Sequence, residues 1–130
     1  MIEGVCHCGR VRWSLQGVPE AVTACNCTIC RRYGALWAYA FDNEGVQVSG
    51  DTVVYVSRNE WLGFHFCGRC GCVAYWRQTE PGADGRRRVA VNVRLAEPEA
   101  VAALSIQHHD GLVTHDDLPL DGRRVADLWS

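Results

Sequence analysis

Lysine is missing from this sequence: all 13 basic residues are arginine, set against 15 acidic ones. The formal charge of −2 and a pI near 6.2 argue against the basic footprint that grips phosphate backbones, so no nucleic-acid partner is expected. Long apolar runs are missing too. None approaches the ~18 residues of a membrane-crossing helix, and the opening "MIEGVCHCGR" has neither the basic start nor the apolar stretch of a secretory leader. A cytoplasmic protein without a membrane partner is expected. Low-complexity tracts and repeats of solenoid length are also absent. With 48% hydrophobic and 22% charged residues, the chain reads as one globular domain over 1–130.

What the chain has in quantity is cysteine, eight in all. Reducing compartments disfavour structural disulfides, so in a cytoplasmic chain these thiols point to metal binding or redox chemistry. They fall in three clusters: Cys6 and Cys8 in "CHCG", Cys25, Cys27 and Cys30 in "CNCTIC", and Cys67, Cys70 and Cys72 in "CGRCGC". Between them the pattern is that of short strands. Val11, Trp13 and Leu15 alternate with Arg12, Ser14 and Gln16, and "GALWAYAF" puts Trp37, Tyr39 and Phe41 on one side. "DTVVYVS", "WLGFHF" and "CVAYWRQ" are rich in β-branched and aromatic residues, and "RRVAVNVRL" sets Val89, Val91, Val93 and Leu95 on one face. The fold expected is mainly β, with at most one short helix. It starts at Pro98 in "EPEAVAALSI", where proline and glutamate open an apolar run. Residues from about 107 onward are read as an irregular closing segment.

Zinc takes four ligands in a tetrahedron, and thiolates two or three residues apart on a tight turn reach one ion together. Cys6-His7-Cys8-Gly9 and Cys67-Gly68-Arg69-Cys70-Gly71 each carry a glycine after the pair, where the chain must turn. These two are read as one closed structural site of Cys6, Cys8, Cys67 and Cys70. Cys25, Cys27 and Cys30 remain as three thiolates on one loop, with Cys72 unassigned. Two arrangements stay open: a catalytic zinc with one vacant corner, or a second closed site with Cys72 as fourth ligand. Two ions per chain are expected, the second site partly occupied, and iron is able to replace zinc among sulfur ligands. Arg10, Arg31, Arg32 and Arg69 lie near the clusters in sequence, either offsetting the excess thiolate charge or standing as plain surface charges.

In order along the chain, "GVCHCGRVRWSL", "CNCTICRRYGA", "FHFCGRCGCVAYWR" and "VAVNVRL" resemble the glutathione-dependent formaldehyde-activating enzyme family, which also includes centromere protein V. The resemblance is strongest over residues 3–95, and "HHDGLVTHDDLPLDGRRVADLW" is similar to the tail of short bacterial members. It implies coiled antiparallel β-sheets organised around zinc knuckles and two zinc ions. Cys6, Cys8, Cys67 and Cys70 match the structural site, and Cys25, Cys27 and Cys30 the site where glutathione acts. It also implies a carbon-sulfur lyase-like activity that joins formaldehyde and glutathione into S-hydroxymethylglutathione. Cys72 stands where many members carry another residue.

A thiol entering an open corner would lose its proton and add to a nearby aldehyde. For the proton carrier or substrate contact, His108, His109 and His115 beside Asp110 and Asp116 are candidates, with Arg31 as a further substrate contact. His7 and His65 are read as structural. Trp37, Tyr39, Trp61 and Trp76 are expected to pack rather than line a pocket. Two other classes of function stand beside the enzyme: a non-catalytic zinc-stabilised binding module, and a thiol redox or metal sensor.

Overall fold

The computed structural model describes residues 1–128, so the last two residues of the expected domain lie outside it. Ten short strands and two single-turn helices follow one another among the described residues: β1 (Ile2–Val5), β2 (Arg12–Leu15), β3 (Ala21–Cys25), α1 (Cys30–Tyr33), β4 (Trp37–Asp42), β5 (Gly45–Ser49), β6 (Val53–Val56), β7 (Leu62–Phe66), β8 (Val73–Gln78), β9 (Arg88–Asn92), α2 (Pro98–Val101) and β10 (Ser105–His109). The chain is mainly β, as the strand periodicities require. The helix expected at Pro98 forms with Pro98 in its first turn but stops at Val101. The residues that follow, "SIQHH", extend as β10 instead. The other helix, α1, lies inside a cysteine cluster and closes on the left-handed Gly34, whose N–H bonds the Cys30 carbonyl.

The strands hydrogen-bond in the order β1-β2-β5-β4-β9-β8-β7-β6, and β4 also carries β3, which pairs with β10. Most pairings are antiparallel, while β3–β10 and β4–β5 are parallel. The sheet therefore forks along one edge of β4, with β3 meeting its first residue and β5 its last two. Laid flat, β2 and β8 would stand roughly 19 Å apart at ~4.8 Å per strand. In fact the turn before β2 and the turn before β8 touch, Cys8 Sγ lying 3.5 Å from Cys67 Sγ. The sheet must curl for its two wings to meet there.

Successive residues alternate between two cores. One gathers Val11, Trp13, Leu15, Val46, Tyr75, Val89 and Val91 with Cys6 and Cys67. The other gathers Trp37, Phe64, Trp76 and Ala90 with Cys30, and Cys25 and Cys27 pack against it. Cys6, Cys8, Cys67 and Cys70 thus belong to one core and Cys25, Cys27 and Cys30 to the other. Trp37 and Trp76 are buried as expected, whereas Tyr39 is partly exposed and Trp61 stands out at 74% exposure. Val89, Val91 and Val93 are buried in the first core with Leu95 packed against it, as expected, although the strand itself ends at Asn92. There Asn92 accepts from the Arg94 N–H and starts a 3-10 turn over Val93–Leu95.

Candidate metal centres

Two β-turns build the first sulfur cluster. Cys6 and Cys8 lie on the β1–β2 connection and Cys67 and Cys70 on the β7–β8 connection. Each pair is followed by a glycine in the left-handed region, Gly9 at φ 87° and Gly71 at φ 81°, where a side chain would strain the turn. The four sulfurs all lie within 4.8 Å of one another. Cys6 to Cys8 measures 3.7 Å and Cys8 to Cys67 3.5 Å. The edge of a tetrahedron with metal–sulfur bonds of ~2.3 Å is ~3.8 Å, so the cluster has the size a zinc ion requires. Backbone N–H groups are aimed at the sulfurs: Val11 donates to Cys6 at 3.2 Å and Arg69 to Cys67 at 3.4 Å.

The thiol acidities divide as expected for sulfurs sharing protons. Cys70 is brought down to about 5 by the backbone N–H groups of Cys72 and Cys8. Cys8 is pushed up to about 11: the Arg10 N–H pulls it down, but burial and its hydrogen bonds to Cys67, Cys6 and Cys70 outweigh that. All eight cysteines are free of disulfides.

The second cluster begins where β3 ends. Cys25, Cys27 and Cys30 bring three sulfurs within 4.8 Å of one another, and no fourth His, Cys, Asp or Glu among the described residues joins them. The Cys27 N–H donates to Cys25 Sγ and the Cys30 N–H to Cys27 Sγ, each at 3.4 Å, so the turn wraps around its own sulfurs. From β4 the buried Trp37 indole donates Nε1–H to Cys30 Sγ at 3.3 Å. Cys25 is brought down to about 5, first by its hydrogen bond with Cys30, then by the Cys27 N–H and by His109. Cys30 moves the opposite way, raised by that same bond and by burial.

The alternative in which Cys72 completes this second set does not match the geometry. Its sulfur lies against Cys70 and the His7 backbone, beside the four-cysteine cluster. Of the candidate histidines, β10 brings one to the site. His109 is the parallel-register neighbour of Cys25, and its Nδ1 is 2.9 Å from Asp117. His108, its neighbour on the strand, lies 3.5 Å from Asp121. His115 occupies a turn at φ 61°. His65 is buried, bonded to Thr52 at 2.7 Å and stacked on Tyr75.

Sequence reasoning missed Gly111, and took Asp110 only as a neighbour of the candidate histidines. A Cβ at Gly111 would lie 2.7 Å from Cys25 Sγ and 3.1 Å from Cys27 Cβ, so the backbone itself covers the cluster. The Asp110 carboxylate ties that turn down, accepting from Asn26 Nδ2, three backbone N–H groups and the Thr114 hydroxyl. The Asp-Gly pair within "HHDGLVTHD" was the available signal. It reads as an ordinary turn until β10 pairs with β3.

Among the described residues no helix is long and apolar enough to cross a membrane. A family profile for glutathione-dependent formaldehyde-activating enzyme matches residues 1–103. A Halomonas elongata protein, to which glutathione-dependent formaldehyde activation is provisionally assigned, is 32% identical over 87 residues. That match takes in 58% of this chain and 55% of the relative, so the chain spans about half the length of the curated protein it matches. A crystal structure of a Rhodobacter sphaeroides protein superposes with a TM-score of 0.60 over 99% of this chain and 96% of that one. At 22% identity, this is a likeness of fold.

Proposed function

The chain belongs to the glutathione-dependent formaldehyde-activating enzyme family, and from that premise we propose that Cys25, Cys27 and Cys30 hold a zinc ion and leave one position to a low-molecular-weight thiol. In this reading Cys6, Cys8, Cys67 and Cys70 hold a second zinc that is structural. The observation that carries the proposal is the difference between the two clusters: four sulfurs converge in one and three in the other. The reaction is a reversible carbon-sulfur lyase-type addition of a thiol such as glutathione to an aldehyde such as formaldehyde. A carbon–sulfur bond forms, the carbonyl π bond opens, and the thiol proton ends on the new hydroxyl oxygen.

The ion, when bound, supplies deprotonation of the entering thiol near neutral pH. The chain's own residues hold the reacting groups in place. The amides of Cys27 and Cys30 and the Trp37 indole fix the three sulfurs and drain charge from them. His109, oriented through Nδ1 by Asp117 and adjacent to Cys25, is the histidine the geometry favours as the proton carrier. A reducing, cytoplasmic setting fits eight free thiols.

The test is cobalt substitution. Millimolar glutathione should shift the visible spectrum of the cobalt protein, and Cys27→Ser should abolish the shift. A spectrum indifferent to glutathione would return the protein to the class of zinc-stabilised binding modules.

A further inference from the structure

Among the described residues, β1, β10 and β6 are the outermost strands of the sheet. The far edges of the first two are covered by the chain itself: β1 is bridged at Gly4 to Ala96, and β10 at Ser105 to Arg124 and at His109 to Asp117. Only β7 stands beside β6. The pairing shows which backbone groups β6 leaves open. The Ser57 N–H donates to the Leu62 carbonyl, and the register continues through Tyr55 opposite Phe64 and Val53 opposite Phe66, so these alternate residues bond toward β7. The N–H and C=O groups of Thr52, Val54 and Val56 therefore point away from the sheet. The usual guards of an open edge are missing. β6 contains no proline and no charged residue, and Val53, Val54, Tyr55 and Val56 are each between 45% and 49% exposed.

We infer that β6 pairs with β6 of a second copy of this chain, antiparallel about a two-fold axis at Val54, so that two sheets join into one. A two-fold axis perpendicular to the sheet keeps every side chain on its own face, and an outward-bonding residue must then meet another outward-bonding residue. Thr52, Val54 and Val56 are spaced symmetrically about Val54. Pairing 52 with 56, 54 with 54 and 56 with 52 engages all the open backbone donors and acceptors of both strands, and sets Val53 of each copy against Tyr55 of the other. Charge favours the same direction. Asp51 stands two residues before β6 and Arg58 two residues after it. Antiparallel pairing brings Asp51 of each copy near Arg58 of the other, whereas parallel pairing would bring like charges together. Because the other outer edges are covered, assembly closes at two copies. This inference is independent of the thiol reading of Cys25, Cys27 and Cys30.

One strand per subunit makes a contact below the ~1,200 Å² of standard interfaces, so the dimer should be reversible. Sedimentation of the metal-loaded protein from about 10 μM to about 1 mM, the range of weak association, should show a mass that climbs toward twice the chain's 14.4 kDa. Val54→Lys and Val54→Glu each set like charges opposite one another across the axis, and each should weaken dimerisation by at least about tenfold. An equal mixture of the two should associate at least as tightly as the parent. Val54 is half exposed, so metal content and far-ultraviolet dichroism should match the parent in both variants. A parent that stays monomeric throughout overturns the inference and leaves the edge to a strand from another protein. Two charge variants that dimerise as the parent does would place the contact elsewhere on the surface, which also overturns it. A mixture that fails to associate would refute the pairing of Val54 with its own copy.

Discussion

Replacing Gly111 with alanine adds one methyl group where the backbone of the 110–116 turn meets the three-cysteine cluster. Gly111 is outside the left-handed region, so alanine is conformationally acceptable and only space is at issue. The new carbon would lie 2.7 Å from Cys25 Sγ, about 0.7 Å short of an ordinary 3.4 Å contact. Something must give. The turn is anchored by the hydrogen bonds that converge on Asp110, and the sulfur is held by the Cys27 amide and by its partners in the cluster. Overpacking of this kind costs about 1–3 kcal/mol, equivalent to roughly 5- to 150-fold in an equilibrium constant. A chelator competition on the zinc-loaded protein, paired with a denaturant melt, reads where the strain goes. Displaced sulfur should appear as weaker zinc binding by Cys25, Cys27 and Cys30. A displaced turn appears as lower stability and cleavage within residues 110–117. Gly82→Ala, whose nearest new contacts are at 3.6 Å, should do neither. If Gly111→Ala matches the parent protein in metal affinity, stability and protease resistance, the turn does not pack on the sulfurs and the account of the site's cover is wrong.

Two further predictions concern the sulfur clasp and the buried histidine. Cys67→Ser should remove one zinc per chain and the cooperative melt with it, since a structural zinc contributes about 10 kcal/mol or more, comparable to a whole domain's stability. Cys72→Ser should leave the metal count unchanged and shift stability by less than about 1 kcal/mol; a lost zinc would return Cys72 to the ligand set. Burial, then Arg77, lowers His65 from 6.5 to about 4. The unfolded chain therefore takes up this proton before the native one does. The stability tied to neutral His65 is fully present above pH 6.5 and is lost as pH falls toward 4, on the order of 3 kcal/mol. Comparing the pH 6.5 and pH 4.5 melts of the parent and His65→Gln isolates this part from metal loss, and an imidazole resonance titrating near 6.5 would refute it.

The strands with β-branched and aromatic periodicity were legible in the sequence, because period-2 burial is written directly in residue order. Val11, Trp13 and Leu15 face one core as read. The grouping of Cys6 and Cys8 with Cys67 and Cys70 was legible as well, since glycine after each thiol pair marks the turn that makes convergence possible. Partnerships between distant strands were not legible. β10 was not legible because Ser105 and Ile106 close the apolar run that reads as a helix and Gln107–His109 open the polar tail. Without its pairing with β3 neither Gly111 over Cys25 nor His109 beside it could be anticipated. Trp61 misled for the opposite reason: an apolar residue in a strand-like stretch reads as core, yet here it closes the turn between the edge strand β6 and β7 and is exposed. Cys72 shares a sequence cluster with Cys67 and Cys70, yet spacing left its metal site open, and only the fold puts its sulfur against Cys70 beside the four-cysteine set.

The chain's connectivity also sets an order of maturation during synthesis. Cys6 and Cys8 emerge from the ribosome first and wait for residues 67 and 70, several seconds later at ordinary elongation rates. The three-sulfur turn is complete at residue 30, but the segment that roofs it arrives only with residues 105–117. The turn can therefore form before its enclosure, so residues 105–117 decide how open the finished site remains.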